Sequence, residues 1–104
     1  MEKIERDGKV AVLYSPGFGA GWSTWAEDEQ KETLCMDARI VSPVLEGDID
    51  KAIKAAVELC PGLYTSGVAQ LEVRWLDKGD NFEIHEYDGS ESINVIGNHS
   101  YMTA

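Results

Sequence analysis

Lys9-Val10-Ala11-Val12-Leu13-Tyr14 runs directly into Ser15-Pro16-Gly17-Phe18-Gly19-Ala20-Gly21-Trp22-Ser23-Thr24-Trp25. The first six residues are largely apolar, include the β-branched Val10 and Val12, and follow Asp7-Gly8, a pattern that predicts a strand. A strand with one wet face alternates polar with apolar residues. This one is nearly continuously apolar, which predicts burial on both faces.

The segment that follows concentrates three of the 10 glycines and two of the three tryptophans. Glycine reaches φ > 0 and lets backbone N–H groups approach a ligand without a Cβ in the way. Successive N–H groups of this kind form concave anion-binding nests. Tryptophan adds a flat face for a base or a cation. Two readings stand: a structural turn whose Trp22 and Trp25 plug the core, or a loop that holds a guest with a planar and an anionic part. A Walker loop is excluded, because Trp22-Ser23-Thr24 follows Gly21 where Gly-Lys-Ser/Thr is required. The dinucleotide fingerprint is excluded too, since the spacing is G-x-G-x-G.

Outward from this point the chain reads as one α+β domain over residues 1–104. Ala26 to Met36 predicts a weakly amphipathic, largely exposed helical turn or two. Ala38-Arg39-Ile40-Val41-Ser42-Pro43 has two solutions: a short helix starting at Pro43 and capped by Ser42, or a helix interrupted near Ser42. Asp48–Cys60 predicts the main helix, with Asp48 as N-cap and Pro61-Gly62 as terminator. Ile49, Ala52, Ile53, Ala56, Val57 and Cys60 form its apolar stripe, and Lys51, Lys54 and Glu58 lie away from it.

The C-terminal half predicts a β-meander. Gln70 to Trp75 alternates with Leu71, Val73 and Trp75 inward. Phe82, Ile84 and Glu86 share one face of the next strand, opposite Glu83, His85 and Tyr87. Asp88-Gly89 turns the chain into Ser92–Ile96. Residues 98–104 predict a loose tail. The expected fold is an antiparallel sheet of about four strands packed against the Asp48–Cys60 helix, with short helical segments besides.

The 104 residues carry 19 acidic and 9 basic side chains, a formal net charge of −10. This balance argues against direct nucleic-acid binding, which depends on Lys and Arg, and against docking on an anionic membrane. The acids are spread along the chain, a pattern that solubility alone explains and that imitation of nucleic acid toward a basic partner also fits. No apolar run approaches the ~20 residues of a membrane span, and the charged N-terminus lacks a signal-peptide core, so a cytosolic location is expected. Cys35 and Cys60, with His85 and His99, are too few and too scattered for a local metal motif. Reduced, packed cysteines are expected, with no metal and no cofactor.

Two further polar groups stand out. His85, Glu86, Tyr87, Asp88 and Glu91 read either as an exposed strand end and turn or as a small hydrolase site with His85 as base and Glu86 or Asp88 orienting it. Arg74 reads either as an ion-pair partner of Glu72 or Glu83 or as a fork for a ligand phosphate, a role Arg39 also suits.

The segments Val10–Trp25 and Phe82-Glu83-Ile84-His85-Glu86-Tyr87-Asp88-Gly89-Ser90-Glu91-Ser92-Ile93 resemble a family of small proteins encoded by tailed bacteriophages and prophages. The resemblance implies a counter-defence role: a sponge that sequesters a nucleotide-derived immune signal in the host cytoplasm without chemistry. It also implies a symmetric homo-oligomer, since sponges commonly build pockets between subunits. A nucleotide-like ligand would be contacted by Gly17, Phe18, Gly19, Ala20, Gly21, Trp22, Ser23, Thr24, Trp25, Arg74, His85 and Tyr87. The competing reading is an acidic inhibitor of a basic host protein.

Overall fold

The computed structural model describes residues 1–17, 21–26, 28–62, 71–87, 90–96 and 102–104, with Trp25 and Asp28 described by their backbone alone. The architecture is α+β, as expected. Strands β1 (Glu5–Arg6) and β2 (Lys9–Tyr14) precede a 3-10 turn at Ser23–Trp25. Helices α1 (Asp28–Met36), α2 (Ala38–Leu45) and α3 (Ile49–Leu59) follow. Strands β3 (Glu72–Asp77), β4 (Asn81–Tyr87), β5 (Ser90–Ile96) and β6 (Met102–Thr103) complete the described chain.

The single sheet expected from the sequence is instead two three-stranded antiparallel sheets, ordered β1-β2-β3 and β5-β4-β6. β2 pairs with β3 along its whole length, from Lys9 opposite Asp77 to Tyr14 opposite Glu72. The predicted meander therefore breaks between β3 and β4, where the chain crosses to the second sheet. The reason lies in β2. Val10, Ala11, Val12 and Leu13 are each at most 1% exposed, so both faces of the strand are covered. Ala11 and Leu13 point to one core with Trp22, Leu34, Ile40, Val41, Ala56 and Cys60. Val10 and Val12 point to another with Cys35, Met36, Leu76 and Phe82. Helices cover the first face, and the β4–β5 hairpin covers the second.

The β1–β2 hairpin turns through Asp7 at φ 52° and Gly8 at φ 77°. Two successive positive φ values mark the tight turn that matches strand twist, and they explain the Asp-Gly pair. α3 runs as predicted: the Asp48 side chain accepts from Lys51 N–H, and Cys60 is the C-cap. Val57 departs from the predicted stripe and is 43% exposed. It lies about 80° around the helix from Ile49, at the edge of the stripe, where Ala52 and Ala56 carry the close contact instead.

α2 matches neither predicted solution. It runs through Pro43 without interruption and is capped by Asp37, whose side chain accepts from Arg39 N–H. Proline there removes the bond that the Arg39 carbonyl would accept, a cost offset by burying Ile40, Val41 and Pro43. The last turn of α1 is also more interior than expected: Leu34, Cys35 and Met36 have no exposed surface. The tail, expected to be loose, is tied down over its final three residues. Thr103 and Met102 pair with Asn81 and Phe82, and Ala104 N–H donates to the Asp80 carbonyl at 2.8 Å.

Because β2 supports both cores, truncation there should be costly. Leu13→Ala should lose about 2–5 kcal/mol of unfolding free energy in urea titrations, whereas Val95→Ala, at an exposed position, should stay within about 0.5 kcal/mol.

Candidate functional site

The residues that flank the glycines, Ser15 on one side and Trp22 and Thr24 on the other, converge on a carboxylate that belongs to the protein. Glu91 projects from β5 and is 2% exposed. Its Oε1 accepts from Ser15 N–H at 2.9 Å. Its Oε2 accepts from Trp22 N–H at 2.7 Å, Thr24 N–H at 3.1 Å and the Thr24 hydroxyl at 2.6 Å. The backbone closes the ring, with Glu91 N–H donating to the Ser15 carbonyl at 2.7 Å. Next to it, the Ser90 hydroxyl donates to the Pro16 carbonyl at 2.6 Å. Buried charge is expensive unless its oxygens are fully hydrogen-bonded, and here four donors converge on them. The donors that meet this anion come from Ser15, Trp22 and Thr24, the residues that flank the glycines.

This arrangement places several of the expected ligand contacts in the interior. Trp22 has no exposed surface, and its indole Nε1–H donates to the Leu34 carbonyl at 2.7 Å. Ser23 is 1% exposed. Its hydroxyl has no nitrogen or oxygen partner among the described residues and lies beside the Cys35 thiol, a weak partner. Burial pushes that thiol up to about 12, against a smaller opposing effect of the Ser23 contact, so Cys35 is an inert packing group. Gly21 is buried and Gly17 half-buried. Phe18, Gly19, Ala20 and the Trp25 ring lie outside the described residues.

The other expected contacts lie apart from the loop. The Arg74 guanidinium donates to the Ile93 carbonyl at 3.1 Å, stitching β3 to β5 rather than pairing with Glu72 or Glu83. His85 Nε2 lies 2.5 Å from Glu83 Oε1 on the solvent face of the second sheet, and Tyr87 on that face is 77% exposed. Asp88 lies outside the described residues. Cys60, like Cys35, is buried and unpaired, and burial raises its pKa. Among the described residues no cluster of His, Cys, Asp or Glu is placed to hold a metal, and no helix is long and apolar enough to cross a membrane.

An open groove lies elsewhere. Between α2 and α3 is a cleft of about 520 Å³ lined by Ala38, Arg39, Ser42 and Pro43 on one side and Lys51, Lys54, Ala55, Glu58 and Leu59 on the other. Alanine, proline and leucine form an apolar floor. Three of the nine basic residues of the chain rim it, against one carboxylate, Glu58. Lys51 and Lys54 form no ion pair with another described residue, and Asp48 accepts only the backbone N–H of Lys51. Arg39 is anchored differently. Its Nε and Nη2 donate to Asp37 Oδ1 and Oδ2 at 3.0 and 2.8 Å.

Asp37 is 2% exposed. The Arg39 hydrogen bonds hold its carboxyl below the ordinary value of 3.8, outweighing the opposing effect of burial. Arg39, in turn, is held above its own usual range by the same bonds. Sequence reading named Arg39 but missed the groove. Lys51 and Lys54 form an i, i+3 pair on the outward face of α3, and that clustering in so acidic a chain was the available signal. Glu91 had a signal as well, since it sits in the same alternation as the inward Ile93.

Compared with protein-family models, with curated proteins and with solved structures, the chain matches none.

Two variants separate these roles. Glu91→Gln places an amide N–H against at least one backbone N–H, so it should cost about 2–3 kcal/mol in urea titration and red-shift tryptophan emission. Asp37→Asn keeps a good N-cap but loses the charge. A carboxylate whose folded pKa is depressed contributes stability above its unfolded pKa and loses it as pH falls through the folded value. The melting temperature of Asp37→Asn should therefore trail the wild type at pH 7 and converge with it below about pH 4.

Proposed function

We propose that this protein is a non-catalytic binding protein that sequesters a small nucleotide-like anion, acting as a phage counter-defence sponge, and that the ligand lies in the α2–α3 groove. The observation that carries this reading is the gathering of Arg39, Lys51 and Lys54 around one apolar cleft in a chain of net charge −10. Cations gathered around one cleft create a local positive potential that favours an anionic guest. The cleft volume falls within the ~300–1,000 Å³ of small-molecule sites, and its apolar floor suits the non-ionic part of a nucleotide.

The long-range field opposes any anion, but salt screens it beyond ~8–10 Å. At the groove the near charges dominate. Because Asp37 balances Arg39, Lys51 and Lys54 supply most of the local attraction. The amides of Ser15, Trp22 and Thr24 serve this reading indirectly, since they are taken up by Glu91 and the helical layer is left to bind.

A melting-temperature panel of mononucleotides, cyclic dinucleotides and ADP-ribose isomers tests the proposal. A true ligand stabilises the fold by ~2.7 kcal/mol at a hundredfold excess over its dissociation constant. Lys51→Glu/Lys54→Glu, both changes at exposed positions, should abolish that shift while leaving the unliganded melting temperature nearly unchanged. Mass spectrometry of the released ligand should return it intact. No shift with any panel member at millimolar concentration would reject the reading.

A further inference from the structure

Arg39 stands behind the groove in a geometry that exceeds what a surface ion pair needs. Its partner is interior, fixed from several sides: Asp37 N–H donates to the Thr33 carbonyl at 3.0 Å, and Ala38 N–H donates to the Glu2 carbonyl at 2.8 Å. The Asp37 backbone also pairs with that of Lys3 in an isolated antiparallel β-bridge. The Asp37 carboxylate is thus part of the frame where α1 meets α2, and it receives the Arg39 backbone N–H at 2.9 Å as well as Nε and Nη2. A surface arginine ordinarily spends rotamer entropy to form any specific contact. Here that entropy is spent in the unliganded fold.

The guanidinium has five N–H donors in a plane. Asp37 takes one on Nε and one on Nη2. Both hydrogens of Nη1 and the second of Nη2 have no partner among the described residues, and the side chain is 65% exposed along the groove. The free donors form the end-on edge of the fork, whose spacing matches two oxygens of one phosphoryl group. The opposite wall presents Lys51 and Lys54, point charges on flexible stems one helical turn apart. One wall therefore offers a fixed fork and the other a diffuse positive field, with apolar surface between them.

Resting on the binding reading above and deepening it, we infer that the ligand carries two separated anionic groups. One is a phosphoryl group gripped end-on by Arg39, with Asp37 as positioning residue. The second is held across the groove by Lys51 and Lys54. The preferred class is then a phosphorylated dinucleotide or similar bis-anion, above a mononucleotide with its charge at one end. Arg39 grips one phosphoryl group by shape, and the lysines favour a second anionic group by charge.

Isothermal titration with three probes tests this: adenosine, AMP and the 5′-phosphorylated dinucleotide pApA. The full-length wild type should bind pApA about tenfold or more tighter than AMP, with adenosine weakest. Arg39→Lys keeps the charge but loses the fork, and should weaken pApA by about tenfold. Lys54→Gln should bring pApA toward AMP. In Asp37→Asn, measured where every variant is folded, the Arg39 Nε–H resonance should broaden by exchange as pApA affinity falls, a change that lost stability alone would not produce. Equal affinity of wild type and Arg39→Lys for pApA overturns this inference and leaves the groove reading standing. Equal affinity of wild type for AMP and pApA overturns the two-group ligand in the same way. No binding of any probe overturns both.

Discussion

Glu91 joins the two halves of the molecule through one carboxylate. It is carried on the second sheet, yet its oxygens are bonded by Ser15, Trp22 and Thr24 from the segment that leaves the first. Without a protein anion at that place, four inward N–H or O–H groups would lose their acceptor, at a cost comparable to the stability of a small domain. Without the loop, a carboxylate would be stranded in the interior. Each is the other's only solution. The position of the β4–β5 hairpin over β2 and the burial of Trp22 both follow from this mutual need.

The second constraint is β2 itself. A strand apolar on both faces requires two layers, and this chain supplies them from different materials. The helical layer uses small residues, Ala52 and Ala56, to bring α3 close. The sheet layer uses Phe82 with Leu76 and Met36. Arg74, reaching from β3 to the Ile93 carbonyl, adds a polar stitch at the seam between sheets. The closing residues Met102–Ala104 seal the same seam from the far end, with Gly79 N–H donating to the Ala104 carbonyl at 2.8 Å.

With Ser15, Trp22 and Thr24 engaged by Glu91, the concave, cationic surface lies between α2 and α3. That division is physically sensible. Loop amides aimed inward rigidify the scaffold, and long cationic side chains on the helices extend into solvent around the groove. Asp37 links the two tasks, since it caps α2 and orients Arg39 with the same oxygens.

Local pattern was enough to read the two-faced strand, the Asp48-capped helix, the inward faces of Val73 and Trp75, and the face assignment along β4, because each depends on periodicity and near neighbours. Arg39 stood out as a cation, but its pairing with Asp37 two residues away did not. What only the tertiary structure decided were the partners: that β3 pairs with β2 while β4 starts a second sheet, that Pro43 is tolerated inside a helix, and that the amides beside the glycines face Glu91, some seventy residues further along. Those outcomes depend on contacts between residues distant in sequence, where no local periodicity records which acid, strand or helix will meet which. The single carboxylate that fills the loop has the same composition as its exposed neighbours, and only its place in the fold distinguishes it.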